Sequence, residues 1–141
     1  MSFLSHNPAE TMQHACDFSA QCTPGTIIRL HGTLGAGKTT WVQGLVSGLG
    51  CTTGATSPSF ALLHEYRGGR LDVFHWDLYR LECDTDWSVL DLPEHLPSNG
   101  VTVIEWSGRY PGPWPTENIW DLHIEPGTNN QRSLQLSPAN T

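Results

Sequence analysis

The stretch HGTLGAGKTTW, residues 31–41, decides the fold of this chain. It matches the pattern G-x-x-x-x-G-K-[S/T], in which glycines permit a tight loop whose backbone N–H groups point at phosphate oxygens. The β-branched run TIIRLHG at 26–32 predicts a strand before the loop, and the apolar spacing after Lys38 predicts a helix behind it. A strand, a glycine-rich loop and a helix in this order predict a phosphate-binding loop.

The residues of this loop have separate physical roles. Gly32, Gly35 and Gly37 allow the backbone to turn, and the helix beyond them directs its positive end at the same anion. We expect Lys38 to bridge the β- and γ-phosphates as a point charge, and the Thr39 hydroxyl to reach a Mg²⁺ ion.

The lysine content narrows the choice of nucleotide. A GTPase of the Ras type reads guanine with an N/T-K-x-D motif, which would require a second lysine. Lys38 is the only lysine in the chain, so that motif cannot exist here. ATP with Mg²⁺ is therefore favoured by elimination.

A phosphate-binding loop needs a carboxylate at the end of another strand to hold the water shell of Mg²⁺. Glu105 ends the apolar run VTVIEW at 101–106, where a charge would point into the crevice in which α/β folds bind ligands. Asp77, in FHWDLYRL, is the second candidate. The structural alternatives are a surface position for Glu105, and for Asp77 an ion pair with Arg80 or a loop cap.

Three further features near these carboxylates have both functional and ordinary interpretations. His75 and Asp77 form H-x-D, which has too few ligands for a zinc site, so we expect His75 to orient Asp77 or a water. The hydroxyl-rich TSPS at 56–59 can sense the γ-phosphate or be a simple turn. Trp106 can pack near the nucleotide, contact a partner or belong to the core.

The remaining elements predict one α/β domain with a mixed sheet, spanning residues 1–141 with fraying at about 1–6 and 138–141. Asn7 and Pro8 predict a helix start. The elements expected from the pattern are a helix at 8–21, turns at 51–59, strands at 60–66 and 71–79 joined by the hairpin turn RGGR, a short helix within 82–96, and paired strands at 118–126 and 132–138.

Composition limits the partners of the protein. The net charge is −7 and the seven basic residues are scattered along the sequence. A protein that binds DNA or RNA by itself needs a basic patch, which this sequence does not show. No apolar run approaches the ~20 residues that span a bilayer. The N-terminus has no secretory or transit pattern. We therefore expect a cytoplasmic protein with no membrane or DNA partner.

The segments GTLGAGKTT, TSPSF, FHWDLYRL and VIEW, in this order and spacing, resemble the TsaE (YjeE) family of small P-loop ATPases in tRNA threonylcarbamoyladenosine (t6A) biosynthesis. The resemblance runs from about Thr11 to Arg132. It implies a single P-loop NTPase domain with a mixed, mainly parallel central sheet flanked by helices, and weak Mg²⁺-dependent ATP hydrolysis. The implied partners are the transferase subunit and its non-catalytic paralogue, which together modify adenosine 37 of tRNA. The transfer would belong to the partner, and tRNA would be involved indirectly.

The resemblance also assigns roles to matching positions. Thr39, Glu105 and Asp77 would hold Mg²⁺, and Lys38, Asp77 and Glu105 would support hydrolysis. It places Arg132 and Ser57 near the nucleotide and the following loop residues at the phosphates: Gly35, Ala36, Gly37, Lys38, Thr39 and Thr40. Gly32 from the loop pattern and Trp106 from its place after Glu105 complete the predicted nucleotide-binding positions. Ser57 and Ser59 fall in the family's switch loop, and the family commonly has threonine at the position of Ser59.

Two alternative functions share the same loop. A small-molecule P-loop kinase would bring an arginine-bearing lid to the transferred phosphoryl group. Only Arg80 and Arg109 are plausible for that role, and the sequence shows no lid-like helical insertion. A nucleotide-sensing interaction module with negligible turnover would differ from the ATPase in rate alone.

Overall fold

The computed structural model describes residues 2–32, 37–56, 63–77, 99–105, 114 and 117–139. Two helices and eight strands lie in this part of the chain. In chain order they are β1 (Ser2–Ser5), α1 (Pro8–Ser19), β2 (Ile27–His31), α2 (Lys38–Leu49), β3 (Thr53–Thr56), β4 (Leu63–Arg67), β5 (Val73–Asp77), β6 (Val101–Glu105), β7 (Ile119–Pro126) and β8 (Arg132–Pro138).

All eight strands belong to one sheet, in the order β1-β8-β7-β2-β6-β5-β4-β3. The four central strands, β7, β2, β6 and β5, are parallel to one another. Antiparallel pairs extend the sheet at both sides, with β8 and β1 beyond β7, and β4 and β3 beyond β5. The predicted α/β fold with a mixed, mainly parallel centre is confirmed.

Helix α1 begins where the sequence predicts it. Asn7 caps the helix, and its side chain accepts a hydrogen bond of 2.8 Å from the backbone N–H of Glu10. Helix α2 ends at Gly50, whose φ of 80° is the left-handed cap expected for glycine at that position. Neither helix in the described part of the chain has the length and apolar character required to cross a bilayer.

The two helices pack on each other and on one face of the sheet. Trp41 and Leu45 of α2 are fully buried in a cluster with Phe18 of α1 and the central strands. The helix backbones approach closely, because a Cβ built on Gly44 would lie 2.7 Å from the Cα of Met12. This packing sets the position of α2, and with it the start of the helix at Lys38.

Some boundaries differ from the sequence-based expectation. Residues 53–56 were expected to form turns but form β3, which is held by its pairing with β4. Residues 2–5 were expected to fray but form β1, which pairs with β8. At the other end, Pro138 lies in β8 and the N–H of Ala139 donates to the carbonyl of Ile119. The helix expected within 82–96 lies outside the described residues.

Candidate nucleotide site

The start of α2 has the backbone features of an anion site. Gly32 follows β2 with a φ of 150°, and Gly37 precedes the helix with a φ of 104°, so both sit in backbone conformations that favour glycine. Gly37 is the N-cap residue and has no side chain to accept from the first-turn N–H groups. Helix α1, by contrast, has its first turn capped by Asn7. The first turn of α2, which has no side-chain cap, and the helix dipole therefore suit a phosphate group.

Lys38 lies at this helix start with its ammonium group turned inward. The side chain is buried, and Nζ donates a hydrogen bond of 3.0 Å to the carbonyl oxygen of Gly32. Nζ also lies 3.6 Å from Oε1 of Glu105. The predicted lysine and the predicted strand-end carboxylate are thus brought together, although they are far apart in the sequence.

Glu105 is buried at the C-terminal end of β6, and its carboxylate is held ionised by its neighbours. Burial by itself would raise the pKa of Glu105. The hydrogen bond and charge of His75, followed by the charge of Lys38, outweigh burial and lower that pKa below its ordinary value. His75 Nε2 lies 2.6 Å from Glu105 Oε2. The expected partner of His75 was Asp77 or a water, and the structure pairs it with Glu105.

The remaining predicted Mg²⁺ ligands are Asp77, a neighbour of Glu105 in the sheet, and Thr39, a neighbour of Lys38 in the chain. Asp77 ends β5 and is aligned with Glu105 across the parallel β5–β6 ladder. Thr39 is exposed in the first turn of α2, next to Lys38. Within the described ranges, no group of three or more His, Cys, Asp or Glu side chains is arranged to hold a metal ion. One or two carboxylates and a hydroxyl fit Mg²⁺, which keeps several waters, better than they fit zinc.

A cavity of about 370 Å³ lies beside the start of α2 and is large enough for part of a nucleotide. Arg132 borders it, and a Cβ built on Gly37 would lie 3.9 Å from Arg132 Nε. Arg132 and Thr40 thus line the same cavity as Gly37, and their binding of a nucleotide stays a prediction. The cavity is lined by His6, Asn7, Pro8, Thr11, Gly37, Thr40, Asn129, Asn130 and Arg132.

Sequence reasoning missed most of the lining of this cavity. The sequence predicts a helix cap at the start of α1 and a polar turn between β7 and β8, and neither pattern indicates a ligand site. Asn129 and Asn130 in that turn both have positive φ, at 54° and 65°. Consecutive asparagines between two strands are the available signal for such a turn, but their position beside the phosphate loop follows only from strand pairing.

On the sheet face opposite the helices, polar side chains link β7 to β2, the strand that leads into the loop. Arg29 on β2 donates two hydrogen bonds of 2.8 Å to the carboxylate of Asp121 on β7, and His31 Nε2 also lies 2.8 Å from that carboxylate. Burial would raise the pKa of Asp121, but the bonds from Arg29 and His31 lower it. The bidentate pair fixes β2 against β7 directly before Gly32.

Several predicted site residues lie outside the described residues. These are Gly35 and Ala36 of the loop, Ser57 and Ser59 of the expected switch segment, and Trp106. Arg80 and Arg109, the arginines considered for a kinase lid, lie outside them as well. Their roles stay predictions.

Comparison with known proteins shows which family this chain resembles. Residues 5–134 match the family model described as "Threonylcarbamoyl adenosine biosynthesis protein TsaE". Two relatives carry the name "tRNA threonylcarbamoyladenosine biosynthesis protein TsaE". The Bacillus subtilis protein is 38% identical over 93% of this chain and 81% of its own length. The Treponema pallidum protein is 43% identical over 84% of this chain and 87% of its own. The crystal structure of YdiB from Bacillus subtilis superposes with a TM-score of 0.81 at 29% identity, covering 99% of this chain and 86% of that one.

Proposed function

Because the chain belongs to the TsaE family, we propose that it is a Mg²⁺-dependent ATP-binding and ATP-hydrolysing accessory protein of tRNA t6A biosynthesis. The observation that carries the proposal is the contact between Lys38, at the uncapped start of α2, and the buried carboxylate of Glu105. A lysine and an acid meeting at a helix N-terminus form the core of a nucleoside triphosphate site. The names of the relatives supply the t6A pathway.

The residues have complementary tasks in this proposal. Lys38 gives up its contact with Gly32 and binds phosphate oxygens together with the first-turn amides of α2. Thr39 and Glu105, with Asp77 aligned beside them, hold the metal and its waters. When bound, Mg²⁺ neutralises phosphate charge during hydrolysis. Arg132 and the adjoining cavity accept the rest of the nucleotide.

The proposed role in tRNA modification is indirect. A net charge of −7 and the small number of basic residues do not favour binding of a phosphate backbone by this chain itself. We therefore assign the threonylcarbamoyl transfer to adenosine 37 to a partner transferase subunit and its non-catalytic paralogue in the cytoplasm. ATP hydrolysis by this chain resets or licenses that complex between turnovers.

A binding experiment tests the site. Lys38→Ala should abolish Mg²⁺-dependent ATP binding, measured by calorimetry. Arg67→Ala is the matched control, since Arg67 is an exposed cation on β4 whose hydrogen bonds go to Glu65 and Asp72. Unchanged affinity in the Lys38 variant would contradict the site assignment.

A reconstituted tRNA-modification assay tests the pathway. The partner pair should carry out multiple turnovers only when this protein and ATP are present, and the γ-phosphate should appear as free phosphate. Equal multi-turnover modification with and without the protein would contradict the accessory role. Transfer of the γ-phosphate to a metabolite would instead support the small-molecule kinase.

A further inference from the structure

His75 is a buried side chain that the proposed function does not use. It lies in the middle of β5 and aligns with Val103 of β6 and His64 of β4. Its Nε2 atom is 2.6 Å from Oε2 of Glu105, a short distance for a bond between a nitrogen donor and a carboxylate. His75 therefore touches the strand-end acid from a neighbouring strand, away from the start of α2.

The two oxygens of Glu105 have different partners. Oε2 accepts from His75, and Oε1 lies 3.6 Å from Nζ of Lys38. Since Lys38 is the residue that phosphate oxygens would draw away, Oε1 is the oxygen that changes partner when a nucleotide arrives. Oε2, bonded to His75, would keep its partner.

We propose that His75 is a positioning residue for Glu105, which holds Oε2 so that Oε1 faces Lys38 and the phosphate end of the site. This inference rests on the proposed function. Without the donor, the buried carboxylate would have an unmet hydrogen-bond acceptor. The carboxylate would then rotate, and Oε1 would no longer be held toward Lys38 and the phosphate end of the site. Partners that orient a metal-binding carboxylate change metal affinity by about 10- to 100-fold when they are removed.

Three substitutions separate positioning from packing. His75→Leu removes the donor and keeps an apolar side chain. His75→Asn keeps a polar amide that is too short to reach Glu105, because its nitrogen occupies the place of Nδ1. His75→Gln extends the amide to the place of Nε2 and should restore the bond. His64→Leu is the matched control, since its ring lies 5.9 Å from the ring of His75 on the adjacent strand.

The measurement is the Mg²⁺ concentration for half-maximal change in the fluorescence of a labelled ADP present at saturating concentration. We expect that concentration to rise about 10-fold or more in His75→Leu and His75→Asn. His75→Gln should stay within about 3-fold of the natural chain because it restores a hydrogen bond to Glu105. His64→Leu should do so because it leaves the bond between His75 and Glu105 in place, and the loss expected on removing an orienting partner is larger. Thermal melting of each nucleotide-free variant reports whether it is folded.

The inference also predicts dependence on Glu105. In a Glu105→Gln background, His75→Asn should cause no further loss of Mg²⁺ affinity, because His75 acts through that carboxylate. An equal loss in both backgrounds would overturn the inference, as would an unchanged Mg²⁺ requirement in His75→Asn with a lowered melting temperature. The inference would also be overturned if His75→Gln needed as much Mg²⁺ as His75→Leu. If the natural chain shows no Mg²⁺-dependent ADP binding, the proposed function itself is contradicted.

Discussion

Replacing Gly44 with alanine should destabilise the protein, although alanine is the better helix former. Gly44 lies in α2 on the side that faces α1, where a Cβ would come 2.7 Å from the Cα of Met12 and 2.8 Å from its carbonyl carbon. Real Cβ atoms do not approach other atoms so closely. The atoms in the way belong to the backbone, so no side-chain rotation can relieve the contact.

Two effects of opposite sign decide the magnitude. Alanine in place of glycine favours the helix by about 1 kcal/mol. Overpacking a close interface costs about 1–3 kcal/mol, and a collision with backbone atoms belongs at the upper end of that range. The expected net destabilisation is therefore about 2 kcal/mol. Because Trp41 and Phe18 lie in the same interface, a separation of the helices also loosens their contacts.

The assay is urea denaturation of the nucleotide-free protein, followed by tryptophan fluorescence and circular dichroism. Gly127→Ala is the matched control, since a Cβ there would meet Gln131 at an ordinary 3.5 Å. The control should stay within about 0.5 kcal/mol of the natural chain or gain slightly. Met12→Ala should not rescue Gly44→Ala, because it leaves the obstructing backbone in place.

A Gly44→Ala variant as stable as the natural chain, or more stable, would refute this reasoning. Helix propensity would then outweigh the contact, and the distance between α1 and α2 would be larger than the structure gives. Rescue by Met12→Ala would also refute it, since a side chain would then be the obstacle.

Three other predictions concern groups with shifted pKa values. Asp121→Asn should lower the free energy of unfolding by about 1–3 kcal/mol at pH 7. Because the pKa of Asp121 in the folded protein lies below 3.8, this difference from the natural chain should shrink as the pH falls through that folded pKa. Urea denaturation at pH 7 and pH 3 measures the change. Burial lowers the pKa of His14, which accepts from Trp41 Nε1, so stability should fall as pH drops below 6.5, and a His14→Gln variant should flatten that part of its pH–stability curve. Burial raises the pKa of Cys22 to about 11, so iodoacetamide at pH 8 should label the half-buried Cys16 before Cys22 and label Cys22 only after unfolding, as peptide mass spectrometry would reveal.

The sequence by itself determined the elements whose signals are local. The helix start at Lys38 behind Gly37, the cap at Asn7 and the left-handed end at Gly50 each depend on residues within a few positions of one another, and the structure has all three. The apolar run before Glu105 likewise predicted a buried strand. Short-range sterics and hydrogen bonding act in the same way in any tertiary setting, so these features could be predicted.

Tertiary structure alone decided the features that depend on distant partners. Strands β1 and β3 have four residues each and exist through their pairing with β8 and β4, which local propensity does not encode. The sequence left Asp77 as the expected partner of His75, whereas the register of β5 beside β6 brings His75 to Glu105. Lys38 meets that same carboxylate because α2 and β6 converge at one end of the sheet. Such contacts arise from packing across many intervening residues, and no short stretch of sequence contains them.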